Sequence, residues 1–377
     1  MAITQSLKQI FTPTYLAVCH QYAKTQISPS SICVDRNLAD IRIVTALQRQ
    51  NGITNGAVLQ CAAMRRRGLN AALLDISKGM RNPLFRLEHS PGTAYIFHAG
   101  GPQIPNLLLT TLPATANAYR VAYLAWELSV PPDWPDLTPL VNEIWTTSAY
   151  SRSSLLKAGY KIPVHIVPHN IPPKPIRVRG SSRFTVMAMS DARSGFVRKN
   201  PDGAIEAFCK AFGNDQAARL ILKLNGTNAA SNGLGPSTLR KIERHSNIEI
   251  IDGYMDESAL NRLFSEVDVF LSLHRAEGFG LPMLEAMSRG IPVVATGWSG
   301  NMQFMDDSSA ALVPFNLIGM KDDPIYGHYR QATWADPDIS TAAASLLRLA
   351  VNREYYDALA FRGHQRAEQL DNAWRIP

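Results

Sequence analysis

Short apolar runs and amphipathic stretches alternate along most of the chain. In the first half the pattern predicts strands at Ile41–Leu47, Ala71–Asp75, Ala94–His98, Glu143–Thr147 and Val164–Val167. In the second half it predicts strands at Phe184–Met189, Arg219–Leu224, Ile248–Ile251, Val267–Leu273 and Ile291–Ala295, with helices at Pro201–Phe212 and Glu257–Glu266. Strands alternating with helices imply parallel sheets covered by helices, an α/β class. After the first strand comes a glycine-containing loop, Asn51-Gly52-Ile53-Thr54-Asn55-Gly56. A helix over Ala57–Arg67 follows it, closed by Gly68.

The segment Pro168–Pro175 interrupts this alternation with four prolines in eight residues. Such a run continues neither a helix nor a central strand, so it reads as a linker. A length of 377 residues fits two domains. The expected division is two Rossmann-like domains, an N-terminal one over 1–170, including an extension at 1–40, and a C-terminal one over 177–350, facing each other across a cleft. Residues 351–377 read as a helix expected to cross back to the first domain.

Composition adds limits. An apolar share of 46% and a charged share of 18% are those of a soluble globular chain. The N-terminal apolar stretches are broken by Lys8, Pro13, His20 and Lys24, so no signal peptide is expected. The most apolar region, Leu107–Val130, contains Pro113, Arg120 and Glu127 and does not read as a membrane span. Cys19, Cys33, Cys61 and Cys209 form no CxxC pair and no metal-ligand spacing, as expected of reduced thiols in the cytoplasm.

A net charge of +7 asks for an anionic partner. Lys174, Arg177, Arg179, Arg183, Arg193, Arg198 and Lys199 fall between Ile171 and Asn200 against the single acid Asp191, and Arg65-Arg66-Arg67 form a second cluster. Phosphates of a small ligand or an anionic membrane surface fit this charge. Nucleic acid does not, because no nucleic-acid motif accompanies it.

The chemistry concentrates after the strand ending at Leu273, in His274–Met287. Pro282 suits the first turn of a helix, and Gly278 and Gly280 let the backbone turn close to a ligand. The amides of Phe279, Gly280 and Leu281 then point out of a helix N-terminus, where an anion is favoured, at the C-terminal end of a sheet strand. Glu277 and Glu285 flank that site. Carboxylates repel phosphate but accept hydrogen bonds from vicinal diols. A nucleoside diphosphate-sugar offers a diol at each end and the diphosphate between.

Glu277-Gly278-Phe279-Gly280-Leu281-Pro282 and Glu285, with Arg289–Thr296 and Ser299-Gly300-Asn301, closely resemble the retaining GT-B glycosyltransferases of family GT4. The resemblance implies the GT-B fold of two Rossmann-like domains and a nucleotide-sugar donor. It places the transferred sugar on Glu277, the ribose diol on Glu285, and sugar and phosphates on the Gly278–Leu281 backbone. Arg193–Pro201 resembles the family's basic stretch before the second domain's first long helix. Lys199 matches the family lysine on the diphosphate, and either Arg193 or Arg198 the accompanying arginine. Ser190-Asp191 departs from the pattern, since relatives often carry an aromatic before the Asp.

In the first domain, Gly52 and Gly56 fall where the family has a glycine loop near the phosphates, and His98 where a histidine faces the sugar. Tyr123–Leu128, Pro131–Trp134, Asn142–Ser148 and Trp334–Pro337 resemble one subgroup, with Glu127 a candidate acceptor contact. The resemblance implies transfer of a hexose, mannose or glucose, to a glycan or lipid-linked acceptor in polysaccharide or lipopolysaccharide assembly. The implied setting is the cytoplasm or the inner face of its membrane, and no metal is expected. An epimerase on the same fold and a non-catalytic nucleotide-sugar-binding protein are the alternatives.

Overall fold

The computed structural model describes residues 2–27, 39–49, 51–79, 85–180, 183–226, 234–320, 323 and 325–377, and the side chains of these except 2–12 and 49. The chain divides into two units. Unit 1 comprises Met1–Trp126, Pro131–Asn170 and Arg375–Pro377, and unit 2 comprises Glu127–Val130 and Ile171–Trp374.

Unit 1 is built on β1 (Ile41–Thr45), β2 (Ala71–Asp75), β3 (Ala94–His98), β4 (Tyr119–Leu124), β5 (Glu143–Thr146) and β6 (Val164–Ile166). All pair in parallel, in the order β2-β1-β3-β4-β5-β6. Every position of β3 is buried, as expected for a central parallel strand covered on both faces. The strand order reverses between β1 and β3, so His98 ends its strand at a topological switch point, where open α/β sheets bind ligands.

Several expectations need correction here. The glycine loop at 51–56 is the first turn of a helix, Gly52–Arg66, because Asn51 caps it by accepting the Thr54 amide at 3.0 Å. Strand β4 lies inside the apolar region Leu107–Val130, and the helix Ile104–Thr110 runs into its start, neither of them predicted. Arg120 sits on β4 fully buried. Its guanidinium donates to the carbonyls of Leu140, Thr115, Ala116 and Ala118 at 2.7–3.1 Å. The extension forms a helix, Ala2–Gln26, whose Cys19 and Ala23, followed by Ile27, join the core of unit 1.

Unit 2 repeats the plan with β7 (Phe184–Asp191), β8 (Ala218–Asn225), β9 (Ile248–Asp252), β10 (Val269–Ser272), β11 (Val293–Thr296) and β12 (Ala311–Val313). The order is β12-β11-β10-β7-β8-β9, again all parallel, with the switch between β7 and β10. An antiparallel pair, β13 (Phe315–Gly319) and β14 (Thr333–Pro337), stands apart from the sheet. The helix Ile339–Val351 packs on Pro201–Phe212, and the helix Arg353–Ala373 packs on Leu281–Met287. The last helix therefore belongs to unit 2, and Arg375–Pro377 to unit 1.

The start of unit 2 is tied to its own core. The amides of Lys174 and Arg177 donate to the carbonyls of Ser288 and Arg289, both at 2.8 Å. Arg177 pairs with the buried Asp268 at 2.7 Å, and Arg179 reaches the carbonyls of Leu349 and Ala350. Much of the basic run thus serves local backbone and carboxylate partners. Cys19, Cys61 and Cys209 are free thiols, and Cys33 lies outside the described residues. Among the described residues no helix is long and apolar enough to cross a membrane.

Candidate active site

In unit 2 the chain leaves β10 and enters a loop whose backbone is held from both sides. The Glu277 amide donates to Ser299 Oγ, and the Gly300 amide donates to the Glu277 carbonyl, each at 2.8 Å. Glycine is required at 300, since a Cβ there would lie 2.1 Å from the Gly278 carbonyl oxygen. Ser299 takes φ 78°, an uncommon value for a residue with a side chain, to make this approach. His274, fully buried, braces the same turn. Its Nε2 reaches the Trp298 carbonyl and Asn301 Oδ1, both at 3.1 Å, and its Nδ1 lies 3.0 Å from Ser272 Oγ. Two acceptors at Nε2 place the proton there.

The carboxylate of Glu277 lies between two cations. Lys199 Nζ is 2.5 Å from Oε1 and Arg198 Nη1 is 3.4 Å from Oε2. Burial alone would raise this carboxyl, but Lys199, Arg198 and His274 outweigh it and hold it at about 2. Arg198 is itself fully buried and donates to the Ser194 and Ala276 carbonyls. Its guanidinium is therefore engaged in bracing the loop. Arg193 is the more accessible arginine, at 51% exposure, and is held by Asp191 through Nε and Nη2 at 3.1 and 2.7 Å.

Local sequence explains how Lys199 and Arg198 arrive. They end a single helical turn, Phe196–Lys199. Asn200 then adopts φ 52° and caps the helix Pro201–Phe212, accepting the Gly203 amide at 3.2 Å and donating to the Leu273 carbonyl at 2.8 Å. That second bond ties the basic turn to the strand that delivers Glu277.

Gly278, Gly280 and Leu281 follow in the same loop, with Gly280 at φ 95° capping the seven-residue helix Leu281–Met287. The Phe279 side chain is core, its ring 4.8 Å from Phe304, so only its backbone could serve a ligand. Glu285 is half-buried on this helix. Burial raises its carboxyl, Arg289 and Lys174 draw it down, Glu257 opposes them, and the balance is a raised carboxyl. Tyr326, carried between β13 and β14, donates to Glu127 Oε2 at 3.3 Å.

In unit 1, His98 is buried and stacked on Tyr123, ring centroids 4.2 Å apart. Its Nε2 meets Gln60 Oε1 at 2.6 Å, while Nδ1 and Gln60 Nε2 have no hydrogen-bond partner. Gly56 lies against His169, where a Cβ would come 2.3 Å from Cε1, and Gly52 has open space around it. Burial and the neighbouring His169 push His98 well below 6.5, and burial puts His169 at about 4.

The structure thus gathers Glu277, Lys199 and Arg198 into one cluster and places His98 and Gly56 near a second buried group. Sequence reading put His274 at the head of the motif segment but gave it no role of its own, and it missed Gln60 and His169. Gln60 was accessible from its spacing, four residues after Gly56 on one helix face. His274 and His169 gave no signal beyond their residue type.

Among curated proteins none matches the chain in sequence. The fold resembles that of TarM, with 15% identity, TM-score 0.54, and coverage of 73% of this chain and 51% of TarM. It also resembles pneumococcal GtfA, the O-GlcNAc transferase solved with UDP and GlcNAc, with 16% identity, TM-score 0.52, and coverage of 73% and 53%. This chain therefore spans about half the length of either protein. Anabaena HepE, solved with UDP-glucose, matches along nearly its whole length: 11% identity, TM-score 0.62, and coverage of 88% and 95%. These likenesses give the fold, GT-B. A family model described as family 4 glycosyltransferase in conflict systems matches residues 147–356, which include the whole cluster around Glu277. With more than half of the chain inside that match, this protein belongs to the family 4 glycosyltransferases in conflict systems.

Proposed function

We propose that the protein is a retaining glycosyltransferase that moves a hexosyl group from a nucleoside-diphosphate sugar to a hydroxyl of a glycan or glycolipid, without a metal. The observation that carries the reading is the buried Glu277 carboxylate fixed between Lys199 and Arg198 on a doubly clamped loop. A carboxylate held ionised at such a place accepts hydrogen bonds from sugar hydroxyls, and Lys199 lies within reach of the same ligand's phosphate. Glu285 takes the ribose diol, and the Gly278–Leu281 backbone meets the sugar and diphosphate. UDP in the complexes of GtfA and HepE supports a nucleoside diphosphate as the leaving group.

In the proposed step the bond from the sugar's C1 to the diphosphate oxygen breaks and the acceptor oxygen bonds C1 on the same face. The acceptor proton passes to the departing phosphate oxygen. Negative charge grows on the diphosphate, and Lys199 and Arg193 stabilise it, each contributing on the order of 3 kcal/mol. Arg198, engaged with backbone carbonyls, acts by holding Glu277.

Polysaccharide or lipopolysaccharide assembly at the inner face of a membrane follows from the resemblance and the basic charge. The matched family's description, in conflict systems, points to another setting for the same transfer.

The test is nucleotide release from a panel of UDP-, GDP- and ADP-sugars with a cell-extract acceptor, product anomers being read by NMR. Release from one donor is expected, with Glu277→Ala slower by about 100-fold or more. No release from any donor, or equal rates for Glu277→Ala and wild type, would defeat the proposal.

A further inference from the structure

Arg275 lies two places before Glu277 in the loop that leaves β10. Its amide donates to the Arg198 carbonyl and its own carbonyl accepts the Ala335 amide, both at 2.8 Å. One residue thus joins the basic turn to β14. The side chain doubles that link: Nη1 is 2.6 Å from Asp336 Oδ1, and the guanidinium lies 5.8 Å from the centre of the Trp334 ring. Nε is buried with no hydrogen-bond partner among the described residues, so the head group takes its place from Asp336 and Trp334.

The hairpin that carries Asp336 meets the same cluster at a second point. In the connection between β13 and β14, Asp323 Oδ1 accepts the amides of Ile325 and Tyr326 at 2.8 and 2.7 Å. That turn rests on Gly195, where a Cβ would come 3.4 Å from Ile325 Cδ1 and 3.8 Å from Arg198 Cβ. Ser129, in the segment Glu127–Val130, donates to the Thr333 carbonyl at 3.2 Å and so fixes the start of β14. The basic turn Phe196–Lys199 is therefore held at Gly195, before it begins, and at Arg198, near its end. With side-chain exposures of 20% and 50%, the Arg275–Asp336 pair contributes little to stability. Its effect is on where the turn sits.

We infer that Arg275 is a positioning residue for sugar transfer: clamped to Asp336, it sets the β13–β14 hairpin against the basic turn and so fixes Lys199 relative to Glu277. The inference rests on the roles given to those two residues in the proposed transfer. Lys199 Nζ stands 2.5 Å from Glu277 Oε1. The lysine serves a diphosphate and the carboxylate a sugar hydroxyl only if both keep their places to within about half an ångström. Misplacement falls on the groups beside the breaking bond, so it is read in kcat, while donor KM, shared with the rest of the nucleotide, changes less.

Nucleotide release and hydrogen exchange on the full chain test this, using Arg275→Asp, Asp336→Arg and the two combined, with thermal melts as the folding control. Each single reversal is expected to lower kcat about tenfold or more with donor KM within about threefold, and to speed exchange of the Arg275 and Ala335 amides. Melting temperature stays within about 3 °C of wild type. The double reversal re-forms the pair and restores most of the kcat and of the protection. Should a reversal fail to fold, Arg275→Met and Asp336→Asn carry the same expectations as the single reversals. Unchanged kcat in the single variants, or a loss that follows melting temperature and is not restored in the double variant, overturns the inference and leaves the donor site standing. If wild type releases nucleotide from no donor, the transfer reading falls, and exchange alone decides whether Arg275 places the turn: protection restored by the double reversal upholds it, and unchanged exchange overturns it.

Discussion

Two carboxylates eight positions apart meet opposite electrical surroundings. Glu277 has two cations against its oxygens and is held down at about 2, whereas Glu285 is raised by burial that its cations only partly offset. Both residues were legible in the sequence, because two glutamates around a glycine turn form a dense local pattern. Their different electrical surroundings were not, because Lys199, Arg198 and Lys174 arrive from distant segments. The buried histidines give the clearest test at this scale. His98 and His169 are held neutral below their ordinary 6.5, His169 down to about 4. Below pH 6.5 the unfolded chain takes up protons that the folded chain refuses, so stability should fall as pH drops from about 6.5 towards 4. For His169 the loss across that window is about 3 kcal/mol. Melting temperature against pH should show this decline, and His169→Gln should flatten it. Equal slopes for the two proteins would refute the assignment.

Elements were legible where pattern and punctuation agreed. Strands β7 to β11 of unit 2 flank polar loops and were placed within a residue or two, whereas β12 was not predicted, nor was β4, whose one charged member, Arg120, is buried. The glycines at 52 and 56 suggested a loop, yet one Asn51 cap was enough to start the helix. The β13–β14 pair escaped notice because β13 is mostly exposed and lacks alternation. Gly300 offers the test at this scale, because a Cβ would strike backbone that cannot turn aside as a side chain could. Gly300→Ala should destabilise unit 2 by about 2–4 kcal/mol and weaken nucleotide binding, since the Glu277 loop must move. Chemical denaturation with calorimetry would measure both, and unchanged values would show that the clamp is dispensable.

At the scale of the whole molecule, an excess of seven positive charges suggested an anionic surface as partner. The structure accounts for many of those residues locally: Arg65 bonds the Ala71 carbonyl, Arg66 bonds Asn170, and Arg177 pairs with Asp268. The remaining charge should still give weak binding to vesicles rich in anionic lipid, lost by about 0.3 M salt. Flotation at two salt concentrations measures it, and salt-insensitive binding would argue for another kind of contact. The division into two units was visible in the proline run, but the return of Glu127–Val130 to unit 2 was not, because four residues carry no boundary signal.

That division has a practical consequence through the cysteines. Cys61 is buried in unit 1 and Cys209 half-buried in unit 2. A shielded thiol reacts with a labelling reagent only as fast as its surroundings open. With Cys19 and Cys33 replaced by serine, the two remaining labelling rates would time the opening of each unit separately, with and without a nucleotide. A ligand held by unit 2 alone would slow one rate and leave the other unchanged.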